Sequence, residues 1–334
     1  MSEGGRHQLA SGSTVVLLSP RLGPVLPAAA LPLARAAVAV YAGADLSAEL
    51  RAVLGARPAP EPAALVAEAA AGPVLLVTRD PADPGAVALR EAGAPVLDTP
   101  EPAGSALLDA VAVMDRLRSP GGCPWDAEQT HDSLRKYLVE ETYELLEAIE
   151  DADRAALREE LGDVLLQVLF HARVAAEHEQ DPFDVDVVAR QLVTKLVGRH
   201  PHVFGEGDPA VRDAATQERR WEELKQAEKG RESVLDGVAT GQPAVALAAK
   251  LTQRVSRRGF PVELLPDGDG TGEILFAVAA LAKLAGEDPE EALRAVARRF
   301  AEDVRAAERA ARAAGVDPVT MGADGWRKFW PGRD

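Results

Sequence analysis

The chain has 334 residues, enough for two or three domains with a packed core. Its formal net charge of −16 argues against a general affinity for nucleic acid, and a single cysteine, Cys123, excludes an internal disulfide or a zinc site built on several thiolates. No apolar run reaches the ~20 residues of a membrane span and the N-terminus lacks a signal-peptide pattern, so we expect a cytoplasmic protein without a membrane partner.

Residues 1–102 predict a small α/β domain. Three short apolar runs in it are typical of strands: Thr14–Leu18, Ala37–Tyr41 and Pro73–Thr78. They alternate with stretches rich in alanine and leucine, which indicates helices around a partly parallel sheet. The segment contains neither the G-x-G-x-x-G pattern of dinucleotide-binding proteins nor the G-x-x-x-x-G-K-[ST] pattern of a P-loop, so its role stays open.

The rest of the chain has a helical pattern. Five segments are predicted to be helices: residues 105–118, 132–151, 154–178, 184–199 and 213–229. Turn-rich segments at Arg118–Asp132 and His200–Pro209 separate some of them. We therefore predict a mainly α protein, with one helical domain at residues 103–230 and a second at residues 231–334.

Carboxylates on two consecutive predicted helices occupy matching positions. At ~100° per residue, Glu141 lies at the margin of an apolar stripe and Glu144 one step further round, and Glu160 and Asp163 repeat this arrangement on the next helix. The predicted stripes are Leu138, Thr142, Leu145 and Ile149 on the first helix, and Leu157, Leu161, Val164, Val168 and Ala172 on the second. Because a short connection favours antiparallel packing, the two carboxylate pairs should face each other.

Four ionised carboxylates within a few ångströms would repel one another strongly in a partly buried site. A hard divalent cation bound through oxygen would compensate their charge. The alternative is a solvated acidic surface, the usual role of acidic residues on an amphipathic helix, and the pattern alone leaves both open. The remaining acidic residues near the turn are predicted to be solvated: Glu147, Glu150, Asp151 and Asp153.

The spacing Glu140-Glu141-x-x-Glu144, then fifteen residues, then Glu160-x-x-Asp163 resembles the E-E-x-x-E…E-x-x-D signature of the MazG nucleoside triphosphate pyrophosphohydrolases. The segments GCPWDAEQTHDSL, YLVEETYELLEAI, LREELGDVLLQVLFHARVA, KLVGRHPHVF and RWEELK resemble that family in order and spacing. The resemblance is strong over about residues 105–229 and weak from residue 233 onward. Within that family the chain resembles the actinobacterial type, which has an extra N-terminal region.

The resemblance implies a homodimeric, all-α helical bundle that uses Mg²⁺, with Mn²⁺ as a substitute. Such an enzyme splits (d)NTPs between the α and β phosphates, as nucleotide-pool house-cleaning. The implied metal ligands are Glu141, Glu144, Glu160 and Asp163, with Glu140 as an accessory carboxylate for the attacking water. The implied substrate-binding residues are Lys195 and Arg199 for the triphosphate, and Trp221 and Lys225 for the base and phosphates. Two alternatives stay open: a narrower enzyme acting on dUTP, dCTP or phosphoribosyl-ATP, and a non-catalytic helical dimer that binds nucleotide.

A degenerate second copy of the helical unit is predicted at residues 231–334. Gly162–Glu177 matches Gly272–Glu287 in its apolar positions, which indicates duplication. The second copy has Gly270 at the position of Glu160, and the loop before it leaves no room for an E-E-x-x-E helix. We interpret this copy as inactive and count one catalytic unit per chain.

The histidines receive no catalytic assignment. His131 is predicted to lie in the loop before the first acidic helix, and His171 to be a satisfied core or interface histidine. His200 and His202 flank Pro201 and are predicted to shape a loop.

Overall fold

The computed structural model describes residues 9–205, 213–229 and 232–332. These residues form two compact units, one ending at Thr194 and the other beginning at Lys195. Helices make up most of the described chain, and a small sheet lies near its N-terminus, which confirms the predicted mainly α fold with a small α/β domain. Among the described helices, none combines the length and the apolar content needed to cross a membrane.

The N-terminal sheet has five strands in the order β3-β2-β4-β1-β5, and all the pairings are parallel. The strands are β1 (Thr14–Leu17), β2 (Ala39–Ala42), β3 (Arg57–Pro58), β4 (Val74–Thr78) and β5 (Val96–Asp98). The predicted apolar runs form β1, β2 and β4, whereas the short outer strands β3 and β5 have no apolar run that would predict them. All of β4 is buried, as is typical of a central parallel strand covered on both faces.

Helices cover both faces of this sheet. They are α1 (Ala30–Ala36), α2 (Ala48–Leu54), α3 (Pro62–Ala71) and α4 (Pro84–Glu91). Leu65 of α3 and Leu89 of α4 pack with Leu76 of β4 on one face. Leu50 of α2 packs with Leu75 on the other face, because successive strand residues point to opposite sides.

The helical part of the chain follows. Its first seven helices are α5 (Ala106–Arg118), α6 (Pro124–Glu128), α7 (His131–Glu150), α8 (Arg154–Ala175), α9 (Val185–Gly198), α10 (Pro201–Phe204) and α11 (Ala214–Lys229). The five predicted helices are therefore confirmed to within a turn. The short α6 and α10 lie in segments predicted as loops, and each begins with a proline at its first residue, a position that proline favours.

A tight hairpin joins α7 to α8. Thr130 and Ser133 cap the start of α7 reciprocally, so His131 is the first helical residue and the prediction that it lies in a loop was wrong. At the turn, Ala152 has a φ of 53°, in the left-handed region. Asp153 is exposed, as predicted, and its Oδ1 also accepts hydrogen bonds from the backbone N–H groups of Ala155 and Ala156, so this residue caps α8.

The contact between α7 and α8 is rotated relative to the predicted apolar stripes. Leu134 and Ala148 are buried on α7, at 1% and 4% exposure. Four residues of the predicted stripes are exposed instead: Leu138, Ile149, Leu161 and Val168. The rotation leaves Glu141 and Glu160 half-buried, so they lie closer to the centre of the contact than predicted.

The core of this helical part lies between α5, α7 and α8. Its buried members are Met114, Leu134, Leu169 and Phe170. Arg118 closes one end of it, because its guanidinium donates to the carbonyl oxygens of Asp126 and Gln129 and pairs with Glu177 at 2.8 Å. The turn between α5 and α6 requires a glycine at position 122, since a Cβ on Gly122 would lie 2.2 Å from the carbonyl oxygen of Leu117.

The second compact unit continues with α12 (Ala244–Ser256), α13 (Thr271–Leu284), α14 (Pro289–Ala313) and α15 (Ala323–Phe329). Between α12 and α13 lies only a single 3₁₀ turn at Val262–Leu264, so the predicted lack of room for an E-E-x-x-E helix agrees with the structure. The inactivity of this copy stays a prediction. So do the domain limits 1–102, 103–230 and 231–334.

Candidate metal centre

Three carboxylates from two helices converge in the first compact unit. Glu141 and Glu144 lie about one turn apart on α7, and Glu160 lies on α8. One carboxylate oxygen of each residue lies within 4.8 Å of the others. The antiparallel hairpin therefore brings together three of the four carboxylates that the spacing predicted to meet.

Asp163 lies outside this group of three, but its negative charge raises the pKa of two members, Glu141 and Glu160. Burial raises the pKa of the Glu141 carboxyl, and the charges of Asp163 and Glu144 raise that pKa further. Burial also raises the pKa of Glu160, with Glu144 and Asp163 again contributing. The exposed Glu140 adds a smaller repulsion at Glu141.

The donor set fits a hard divalent cation. Glu160 Oε2 is buried, and no group in the described part of the chain donates a hydrogen bond to it. A carboxylate oxygen in that state normally has a compensating partner, because an unpaired buried charge is costly. Carboxylate oxygens alone, without thiolate or imidazole, are the ligands that cations such as Mg²⁺ or Mn²⁺ prefer.

We expect Glu141→Gln to stabilise the metal-free protein at neutral pH. Because folding raises the pKa of Glu141 and Glu160, the native state binds protons more tightly than the unfolded chain. Its stability therefore falls as the pH rises from the ordinary carboxyl value of 4.5 toward the raised native values, and a glutamine at position 141 lessens that loss. Thermal unfolding in EDTA should show a higher Tm for the variant at about pH 7.5 and no gain at about pH 4. An equal gain at both pH values would contradict charge repulsion as the cause.

The second compact unit places Arg199 against Trp221. Arg199 is 4% exposed, and its guanidinium carbon lies 4.9 Å from the Trp221 ring centroid. His200, which sequence reasoning treated only as a loop residue, adds an edge-on ring contact to Trp221 at 5.1 Å. Lys195 is exposed on α9 and Lys225 is half-buried on α11. Two of the four predicted substrate-binding residues thus lie together.

Sequence reasoning also missed a contact between His131 and His171. Their Nδ1 atoms lie 2.8 Å apart, across the α7–α8 hairpin. Both residues are equally far from Asp151 at the turn, and that equal separation was the signal that an antiparallel hairpin would bring them together.

Comparison with known sequences gives consistent matches. Residues 129–204 match the MazG nucleotide pyrophosphohydrolase domain, and residues 13–97 match the MazG N-terminal domain. A nucleoside triphosphate pyrophosphohydrolase from Mycolicibacterium smegmatis is 45% identical over 251 residues, which cover 70% of this chain and 73% of that protein.

Two further relatives are similar over a shorter stretch. A nucleoside triphosphate pyrophosphohydrolase from Mycobacterium tuberculosis is 48% identical over 207 residues, or 62% of this chain and 59% of that protein. An uncharacterized 26.1 kDa protein in the blaB 3′ region of Streptomyces cacaoi is 53% identical over 206 residues, or 61% of this chain and 84% of that protein.

Proposed function

Because the chain belongs to the MazG family of nucleoside triphosphate pyrophosphohydrolases, we propose that it hydrolyses (d)NTPs between the α and β phosphates. The products would be a nucleoside monophosphate and pyrophosphate. The observation that carries the proposal is the convergence of Glu141, Glu144 and Glu160, with a buried and unpartnered oxygen on Glu160. A solvated acidic surface would leave that oxygen open to water.

The proposed cofactor is Mg²⁺, for which Mn²⁺ would substitute. Glu141, Glu144, Glu160 and Asp163 would hold it through carboxylate oxygens. When bound, the metal supplies charge stabilisation to the phosphate oxygens and lowers the pKa of a coordinated water.

Side chains of the protein would position the attacking water and bind the nucleotide. Glu140, which is exposed on α7 and precedes Glu141 in the chain, would orient the attacking water or accept its proton. Lys195 and Arg199 would bind the triphosphate, and Lys225 would add a further positive charge beside the phosphates. Trp221 would stack on the base, and the guanidinium of Arg199 would hold its ring in place.

Product analysis tests this function. Purified protein incubated with ATP or dTTP, with and without Mg²⁺, should yield monophosphate and pyrophosphate only when the metal is present, as resolved by anion exchange. Diphosphate with orthophosphate would show cleavage of the other anhydride bond and contradict the proposal. An absence of turnover with every nucleotide would favour the non-catalytic nucleotide-binding dimer.

We also propose that the chain forms a homodimer through α7 and α8. Large apolar side chains on these helices are 38% to 54% exposed in the single chain: Val139, Leu146, Ile149, Leu161 and Val168. Apolar surface of this kind on an isolated chain is typical of a protein–protein interface. A symmetric pair would bury the same surface on both subunits.

Light scattering should therefore give a mass of twice 35.2 kDa. Val168→Asp should shift that mass toward the monomer, because it would bury a charge in the interface. Val53→Asp is the matched control, since Val53 is 80% exposed on α2 and lies outside the proposed interface. A monomeric wild-type protein would contradict the dimer.

A further inference from the structure

One row of polar side chains on α8 extends from the acidic cluster into the helix contact. Asp163, Gln167 and His171 follow one another at intervals of four residues, so they share one face of the helix. That face points toward α7. The charge of Asp163 raises the pKa of Glu141, and His171 contacts His131, and Glu141 and His131 both belong to α7. Gln167 lies between them on the same face.

Gln167 is the unexplained member of this row. Its side chain is 4% exposed, and its Oε1 is buried without a hydrogen-bond donor among the residues that the structure describes. An unsatisfied buried amide oxygen destabilises the folded state, whereas an apolar residue of the same size carries no such cost. A buried glutamine at this position therefore requires a reason.

His171 also has a buried polar atom without a hydrogen-bond partner among the described residues. Its ring and that of His131 are nearly coplanar, at 5°, with centroids 5.1 Å apart and an Nδ1···Nδ1 distance of 2.8 Å. These values describe an in-line, edge-to-edge hydrogen bond rather than a stack. The other nitrogen of His171, Nε2, is buried without a partner in the described chain.

One tautomer of His171 would give a hydrogen-bond donor to match the acceptor on Gln167. Burial and the neighbouring His131 lower the pKa of His171, which favours its neutral form with a single ring N–H. If Nδ1 accepts from His131, then Nε2 carries the hydrogen and is a donor. Gln167 Oε1, one turn away on the same face, is an acceptor without a donor.

We propose that Gln167 is a positioning residue of the metal centre: His171 Nε2–H donates to one buried water, which donates to Gln167 Oε1, and the Gln167 amide N–H donates to the Asp163 carboxylate. This inference rests on the proposed function, because it assigns a role to Asp163 as a ligand. Metal-ligating carboxylates are normally held by such outer hydrogen bonds. The chain from His131 to Asp163 would fix the orientation of the one cluster member that lies outside the group of three.

Metal binding tests the inference without relying on turnover. Mn²⁺ affinity would be measured by calorimetry for the wild type, Gln167→Met, His171→Phe and His171→Gln. We expect Gln167→Met and His171→Phe to weaken Mn²⁺ binding by about 10-fold or more, the usual effect of losing an outer hydrogen bond. His171→Gln keeps a side-chain N–H donor and should recover much of the affinity.

Leu169→Ala is the matched control. Leu169 is also buried on α8 but packs in the core with Met114, away from the polar row. This variant should lose stability and keep Mn²⁺ affinity, which separates a positioning effect from general loosening of the helix pair.

The outcomes distinguish this inference from the proposed function. If the wild type binds Mn²⁺ and cleaves nucleotides while Gln167→Met and His171→Phe bind Mn²⁺ within about 2-fold of it, well short of the usual outer-bond effect, the positioning role is wrong and the function stands. If His171→Gln binds as weakly as His171→Phe, the donor role of His171 is wrong. If the wild type binds no Mn²⁺, the metal centre and this inference fail together.

Discussion

Glu144→Gln should reduce nucleotide turnover by at least about 100-fold while leaving the fold intact. Glu144 provides one of three carboxylate oxygens that lie within 4.8 Å of one another, so its charge cannot be replaced from elsewhere in that group. A bound metal supplies several kcal/mol of transition-state stabilisation, and each 1.36 kcal/mol corresponds to about a tenfold change in rate. Initial rates at saturating Mg²⁺ and nucleotide, with circular dichroism to check folding, would measure the loss.

The matched control is Glu147→Gln. Glu147 is exposed on the same helix and outside the carboxylate group, and its substitution changes the net charge equally. It should retain nearly full activity. A folded Glu144→Gln protein with wild-type turnover would contradict the assignment of Glu144 as a metal ligand.

Leu134→Ala should lower the free energy of unfolding of the helical part by about 2–5 kcal/mol. Leu134 is 1% exposed and packs with Met114, Leu169 and Phe170 where α5, α7 and α8 meet. Truncation would leave a cavity that three helices border, and the cost depends on how far they can close it. Urea unfolding followed by circular dichroism would measure the change.

Leu107→Ala provides the comparison for this substitution. Leu107 is 51% exposed on α5, so the same atoms are removed from a position that is already half in water. Its cost should stay below about 1 kcal/mol, since surface changes are usually small. Equal losses at positions 107 and 134 would show that the core does not lie where the structure places it.

The hairpin of α7 and α8 could be predicted because its signals are local. The 3.6-residue period, the short connection and the matched spacing of carboxylates gave the helices and their antiparallel pairing. The strands β3 and β5 could not, because Arg57–Pro58 and Val96–Asp98 are too short to show any periodicity. They exist as strands because the sheet already formed by β1, β2 and β4 offers them a partner.

The rotation between α7 and α8 was the main error at the site. The apolar residues on each helix cover more than one face, and some remain exposed in the single chain, as Ile149 and Leu161 do. A sequence cannot tell which apolar face serves the partner helix and which serves another surface. Glu141 and Glu160 consequently lie deeper than their marginal position in the sequence pattern indicated. Gln167 was missed for the same reason, because only the true contact face shows that it is buried.

The turn at Asp151–Asp153 also limits how this sequence can vary in length. Ala152 occupies the left-handed region and Asp153 caps α8, so the turn fixes where α8 begins and which way it faces. One added residue there would rotate α8 by ~100° and carry Glu160 off the face that meets Glu141. The number of residues between Glu144 and Glu160 is therefore as much a part of the proposed metal centre as the carboxylates themselves.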